Sequence, residues 1–246
     1  MCTVAFIPDA DGGYILGHNR DELRARARGL PPARFERCGM SFLAPRDPDG
    51  GGTWIGVNAS RMTLCLLNAA ERDPTRLPAE PRSRGLLLWD VLPLGSADGV
   101  DARLEETRKR LAGIRAFHMV AALPGARGGE AVSVHWTWDG ERLARERREG
   151  ATMYVSSSYD QTAVEHERGK AWERLGADHR RPDEPALVRW LASEGETPGP
   201  FTVCMERPNA MTVSRTLVIA SAGGVEMRYL DGPPCDRAAR EWTAKL

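Results

Sequence analysis

The second residue of the chain is a cysteine, in Met1-Cys2-Thr3-Val4. Initiator methionine is usually removed ahead of a small second residue, which would leave Cys2 with a thiol and a free α-amine. Reference pKa values are about 8.5 for the thiol and about 7.7–8.0 for the amine. Near neutral pH the amine can therefore take the thiol proton directly or through one water, with no separate histidine. A small hydrophobe buried at a strand end is the plain alternative for Cys2. The stretch Gly17-His18-Asn19-Arg20-Asp21-Glu22 offers partners. An Asp21 carboxylate can accept a hydrogen bond from the α-amine, and an Arg20 guanidinium can favour the thiolate or pair with a polar substrate group. For a charged run after a strand, a solvated turn is the alternative.

These groups meet only if the chain folds back on itself. Residues 2–7 and 14–19 carry strand-like alternation around the turn cluster at 8–13, which predicts a β-hairpin whose second strand ends beside Cys2. An Arg-rich, irregular surface stretch is expected from Glu22 to Arg37. Strands are expected at 53–58, 62–67, 117–123, 131–138, 142–147, 152–156, 201–205, 211–220 and 225–230. Helices are expected near 83–92, 102–111, 162–175 and 184–193, with a loop at 69–82. Strands and helices come in groups rather than in steady βαβ alternation, which suits an α+β protein with antiparallel sheets carrying helices on their outer faces. No internal repeat or long linker divides residues 1–246, so one domain is expected.

Met1-Cys2-Thr3-Val4, Asn19-Arg20-Asp21-Glu22, and Pro45-Arg46-Asp47 with Gly51-Gly52-Thr53-Trp54-Ile55-Gly56-Val57-Asn58 together resemble the NRDE family, that of the transport and Golgi organisation protein 2. Thr202-Val203-Cys204-Met205, Thr212-Val213-Ser214 and Gly232-Pro233-Pro234-Cys235 are similar to the family's C-terminal signature. That family in turn resembles N-terminal-nucleophile hydrolases of the choloylglycine hydrolase and penicillin V acylase type. The resemblance implies a four-layer αββα sandwich. It makes Cys2 the nucleophile and Asp21 the holder of its amine. Relatives often carry Arg where this chain has His18; Arg20 shares that strand face and can take the role. Leu66-Leu67-Asn68 resembles the segment whose Asn supplies an oxyanion-hole amide. Ser157, in Val155-Ser156-Ser157-Ser158, stands where relatives carry a second Asn. Ser214-Arg215 resembles a late Ser-Arg pair, which would set Arg215 beside Asp21 or Cys2.

Composition narrows the functions. The chain has 246 residues and a formal net charge of zero, with 34 Lys and Arg against 34 Asp and Glu, so no basic excess marks it for nucleic acid. No run of about 18 apolar residues predicts an integral membrane segment, and no secretory signal is apparent. The five cysteines, at 2, 38, 65, 204 and 235, include no C-x-x-C pair and read as free thiols in a reducing, cytoplasmic setting. Neither the glycines at 50–52 nor the histidines at 18, 118, 135, 166 and 179 form a P-loop or a zinc motif. The expected activity is amidohydrolysis of a non-peptide C–N bond in a small-molecule amide, with no cofactor required. The alternative is a carrier for haem or another hydrophobic ligand, such as a lipid or acyl-CoA, in which Cys2 or a histidine could ligate haem iron.

Overall fold

The fold was obtained as a computed structural model that describes the chain apart from Met1, residues 127–128 and residues 179–181. Met1, whose removal is expected, and His179 therefore lie outside the described residues. In chain order the elements are β1 (Cys2–Pro8), β2 (Tyr14–Leu23), β3 (Leu30–Arg37), β4 (Met40–Arg46), β5 (Ile55–Asn58) and β6 (Thr63–Asn68). Then come α1 (Arg84–Val91), α2 (Ala97–Glu106), α3 (Arg108–Leu111), β7 (Phe117–Leu123), β8 (Val132–Trp138), β9 (Leu143–Glu149) and β10 (Thr152–Ser156). The chain closes with α4 (Gln161–Asp178), α5 (Glu184–Leu191), β11 (Ala210–Ser221), β12 (Gly224–Asp231) and β13 (Arg240–Lys245).

Two antiparallel sheets result. The first has the order β10-β1-β2-β11-β12-β13, and the second runs β3-β4-β5-β6-β7-β8-β9. Strand alternation decides what fills the layers. Val4, Phe6, Tyr14 and Leu16 of the first sheet meet Ile55, Val57, Cys65 and Val120 of the second in the inner core. Ala5 and Ile7 turn the other way, onto Leu187, Trp190 and Leu191 of α5. On the far side Leu64, Leu66, Met119 and Trp136 pack under Leu87, Leu88, Val91, Val100 and Leu104 of α1 and α2. Helices thus cover both outer faces of a two-sheet sandwich, which is the four-layer αββα arrangement. β1 is buried along its whole length because it is an interior strand covered on both faces.

Several sequence expectations are corrected. The stretch from Glu22 to Arg37 is not wholly irregular: β2 runs on to Leu23, and β3 pairs with β4 through a two-residue turn at Cys38 and Gly39. Both turn residues have positive φ, 52° and 74°, as a tight hairpin turn requires. β3 is an edge strand, and its Arg and Glu side chains are what a protected edge carries. Residues 201–205 form no strand. Their backbone is held by the Asn19 side chain, which donates to Val203 O at 3.1 Å, and by Cys204 N–H donating to Ser193 O at 2.9 Å. β13, a half-exposed edge strand, was not anticipated. Cys204 and Cys235, read as free thiols, are joined by a disulfide with their Cα atoms 6.5 Å apart; Cys2, Cys38 and Cys65 are free. The two joined cysteines lie on loops that flank β11 and β12, so the topology brings them together across 31 residues.

The glycine run at 50–52 also has a structural task. A Cβ on Gly52 would run into the Gly85 backbone at the start of α1. The loop 47–52 can therefore lie directly against that helix end, which is what closes one side of the site.

Candidate active site

Cys2 heads β1 and pairs with Arg20 of β2 on one side and Ser156 of β10 on the other. Its side chain, with those of Val4 and Phe6, faces the inner core and opens onto a cavity of 350 Å³ at the end of the sandwich. Arg20, Asp21, Trp54 and Asn68 line the same cavity. Burial pushes the Cys2 thiol above the ordinary range and the Asp21 charge adds to this. The chain's N-terminal charge, Arg20 and a hydrogen bond from the Asp21 backbone N–H oppose it. Across the sandwich, burial first and then Cys2 hold the Cys65 thiol well above the ordinary range.

Arg20 shares the Cys2 face, as the two-residue period dictates. Its guanidinium lies over the Trp54 ring, 4.2 Å from the centroid, within 3.4 Å of Glu22 and 4.0 Å of Asp47. Arg26 completes this wall, at 2.7 Å from Asp47, 3.4 Å from Glu22 and 3.5 Å from Asp49.

Asp21 points to the opposite face of β2, toward α4. Thr212 Oγ1 donates to its Oδ1 at 2.6 Å, and Arg168 Nη1 donates to its Oδ2 at 3.3 Å. Arg168 Nη1 also donates to Thr3 Oγ1. A β-bulge makes the first of these contacts possible. The register between β2 and β11 shifts between Thr212 and Ser214, so Thr212 rather than Val213 stands opposite Asp21. Asp21 and Arg168 are both almost wholly buried, with 1% and 2% of their surface exposed.

Not every expected group comes to the cavity. Asn68, at the exposed end of β6, lines it. Ser157 does not: its hydroxyl accepts from Tyr159 N–H at 3.1 Å and its own N–H donates to Gln161 Oε1 at 2.6 Å, closing the turn into α4. Ser156, one residue earlier, is the buried serine in register with Cys2, and its hydroxyl has no hydrogen-bond partner among the described residues. Arg215 pairs with Glu241 at 2.7 Å, not with Asp21 or Cys2. It stands opposite Asn19, which bonds Leu191 O at 2.8 Å, and so faces the helical layer. His18 is fully buried, its ring nitrogens have no hydrogen-bond partner among the described residues, and burial above all pushes its pKa down to about 3.

Sequence reasoning missed Arg168 and the two arginines on the far wall, Arg84 and Arg115. Arg168 had a signal: Val164, Arg168, Ala171, Trp172 and Leu175 fall on one helical stripe. A single charge on an apolar stripe points to a buried partner. Among the described residues no group of three or more His, Cys, Asp or Glu is placed to hold a metal ion. No described helix is long and apolar enough to cross a membrane.

Comparison with known proteins gives a family and a fold. Residues 1–171 match the family model of Transport and Golgi organisation 2. Among solved structures, an N-acylethanolamine-hydrolyzing acid amidase ortholog from Caenorhabditis elegans aligns over 100% of both chains with a TM-score of 0.58 at 14% identity. A conjugated bile acid hydrolase variant from Clostridium perfringens aligns over 100% of this chain and 97% of its own, with a TM-score of 0.46 at 12% identity. No curated protein matches at a significant level by sequence.

Proposed function

The chain belongs to the Transport and Golgi organisation 2 family, and from that premise we propose that it is an N-terminal-nucleophile hydrolase acting on the C–N bond of a non-peptide amide. One observation carries the reading: Cys2, at the head of a buried strand and in register with Arg20, shares its cavity with Arg20, Asp21 and Asn68. The fold likeness to an amidase that hydrolyses N-acylethanolamines supports the reaction class.

Removal of Met1 gives Cys2 a free α-amine. The amine takes the thiol proton, and the sulfur attacks the amide carbonyl carbon. The carbonyl oxygen becomes an oxyanion, to which the Asn68 side-chain amide donates; one such donor contributes about 2.7–4 kcal/mol in other hydrolases. The α-ammonium returns its proton to the leaving nitrogen as the C–N bond breaks, leaving a thioester on Cys2. The amine next deprotonates a water, whose oxygen attacks the thioester; the carboxylic acid leaves and the thiol is regenerated. Asp21, fixed by Thr212 and Arg168, holds the strand end on which these groups sit.

The test begins with an intact mass of the purified chain, expected to lack Met1, followed by turnover of an N-acylamide panel. Cys2→Ala is expected to abolish hydrolysis, and Asn68→Ala to lower kcat by about 10²–10³-fold. Undiminished turnover by Cys2→Ala overturns the reading. So does inertness toward every amide together with a saturable shift of the haem Soret band that Cys2→Ala removes, which would mark a carrier.

A further inference from the structure

The two walls of the Cys2 cavity differ in charge. On the Trp54 side, Arg20 and Arg26 are matched by three carboxylates, Glu22, Asp47 and Asp49. On the other side stand Arg84, which opens α1, and Arg115, just ahead of β7. Among the described residues neither has a carboxylate within ion-pair distance. Arg84 Nη1 is anchored on Ala116 O at 2.9 Å. Glu71, which attracts Arg84, spends its Oε1 on Ala116 N–H at 2.8 Å. Arg82, the third arginine there, is already paired with Asp90 at 2.7 Å.

Arg84 and Arg115 are close enough to repel one another. The first turn of α1 adds to the positive field: it holds no acidic residue, and Ser83 makes no side-chain cap. Two like charges and a bare helix end around one half-buried space are stabilised by an anion that bridges them.

The substrate's direction follows from the next groove. It shares Arg20, Glu22 and Arg26 with the cavity; Leu23, Met211, Val213 and Pro233 give it an apolar strip, with Arg24 and Arg28 also on its lining. An acyl chain laid there puts the leaving amine at the α1 wall.

We propose that Arg84 and Arg115 form a carboxylate subsite, which makes the preferred substrates amides whose leaving amine carries an acid, as N-acyl amino acids do. This rests on the hydrolase reading for its chemistry, though the binding itself does not. A planar guanidinium pair suits a carboxylate by bidentate hydrogen bonding, and a neutral hydroxyl offers the pair no charge to bridge it.

The experiment compares N-octanoylglycine with N-octanoylethanolamine, which share the acyl chain. In the wild-type protein the ratio of their kcat/KM values is expected to exceed about ten in favour of the glycine amide, the size of a charge-assisted contact. Arg115→Glu, at an exposed position that should not disturb folding, is expected to drive that ratio to one or below, chiefly through KM. Binding of both compounds to Cys2→Ala, with and without Arg115→Glu, is measured by calorimetry. Turnover of both with a wild-type ratio near one overturns the subsite and leaves the hydrolase standing. No turnover, but tighter binding of N-octanoylglycine that Arg115→Glu removes, upholds the subsite and overturns the hydrolase. No turnover and no such binding overturns both.

Discussion

Arg168 reaches Asp21 across 3.3 Å from the middle of α4, and the two are 147 residues apart in sequence. The helical layer is thereby tied to the strand end that carries Cys2. Removing one partner of a buried ion pair leaves an uncompensated charge, at a cost of about 3–5 kcal/mol. Arg168→Leu is therefore expected to lower the urea midpoint strongly. Asp21→Asn combined with Arg168→Leu should recover part of the loss, because the stranded carboxylate is gone. A double variant no better than the single one would show that the pair is not coupled.

The Cys2 thiol is held above its ordinary range, chiefly by burial. A raised pKa means less thiolate at a given pH. Alkylation of Cys2 by iodoacetamide should therefore be slow at pH 7 and still be accelerating above pH 8.5. Peptide mapping over pH 6 to 10 reads this, with buried Cys65 expected to stay unlabelled. A rate that levels off below pH 7 would mean that the opposing charges outweigh burial.

His18 falls from an ordinary 6.5 to about 3 in the folded state. Between those values the unfolded chain binds the proton more readily, so the contribution to stability is complete above 6.5 and is lost as pH falls toward 3. The whole contribution is roughly 5 kcal/mol. In urea melts between pH 6 and pH 4, His18→Leu should show a flatter pH dependence, by up to about 1.4 kcal/mol per pH unit. Parallel curves for the two proteins would remove His18 from the acid response.

Two glycines should respond to alanine in opposite directions. At Gly52 the new methyl meets the Gly85 backbone, which has no flexible side chain to move aside. A loss of about 1–3 kcal/mol is expected, as for other overpacked sites. At Gly169, within α4, nothing lies within 4 Å of the added carbon, and helix propensity favours alanine by about 1 kcal/mol. Thermal melts of the two variants should shift apart; a shared direction would contradict the loop-to-helix contact.

Local pattern revealed the parts of the fold that are local. The turn cluster at 8–13 and the alternation on either side suffice to set position 21 near position 2, because a hairpin registers itself. The charged edge β3 lacks the apolar alternation by which an inner strand is recognised, so only its Cys38-Gly39 turn could have disclosed it. Ser157 and Ser156 differ by one residue, and one residue flips a strand side chain to the other face; the sequence has no ruler that fine without the register to β1. The partner of Arg168, the role of Thr212 and the bulge at Val213 were hidden for another reason. Their meaning depends on pairings between distant segments, which no window along the chain contains.

β1 begins between two neighbouring strands, with the Cys2 side chain opening directly into the cavity. Anything joined to the chain ahead of that residue turns its α-amine into a backbone amide, so no free amine stands beside the thiol. An affinity tag or fluorescent fusion at that end would silence a hydrolase of this kind without touching any side chain. Handles for purification or immobilisation belong at the opposite terminus, and screens run on N-terminally tagged protein would report on a cysteine without its base.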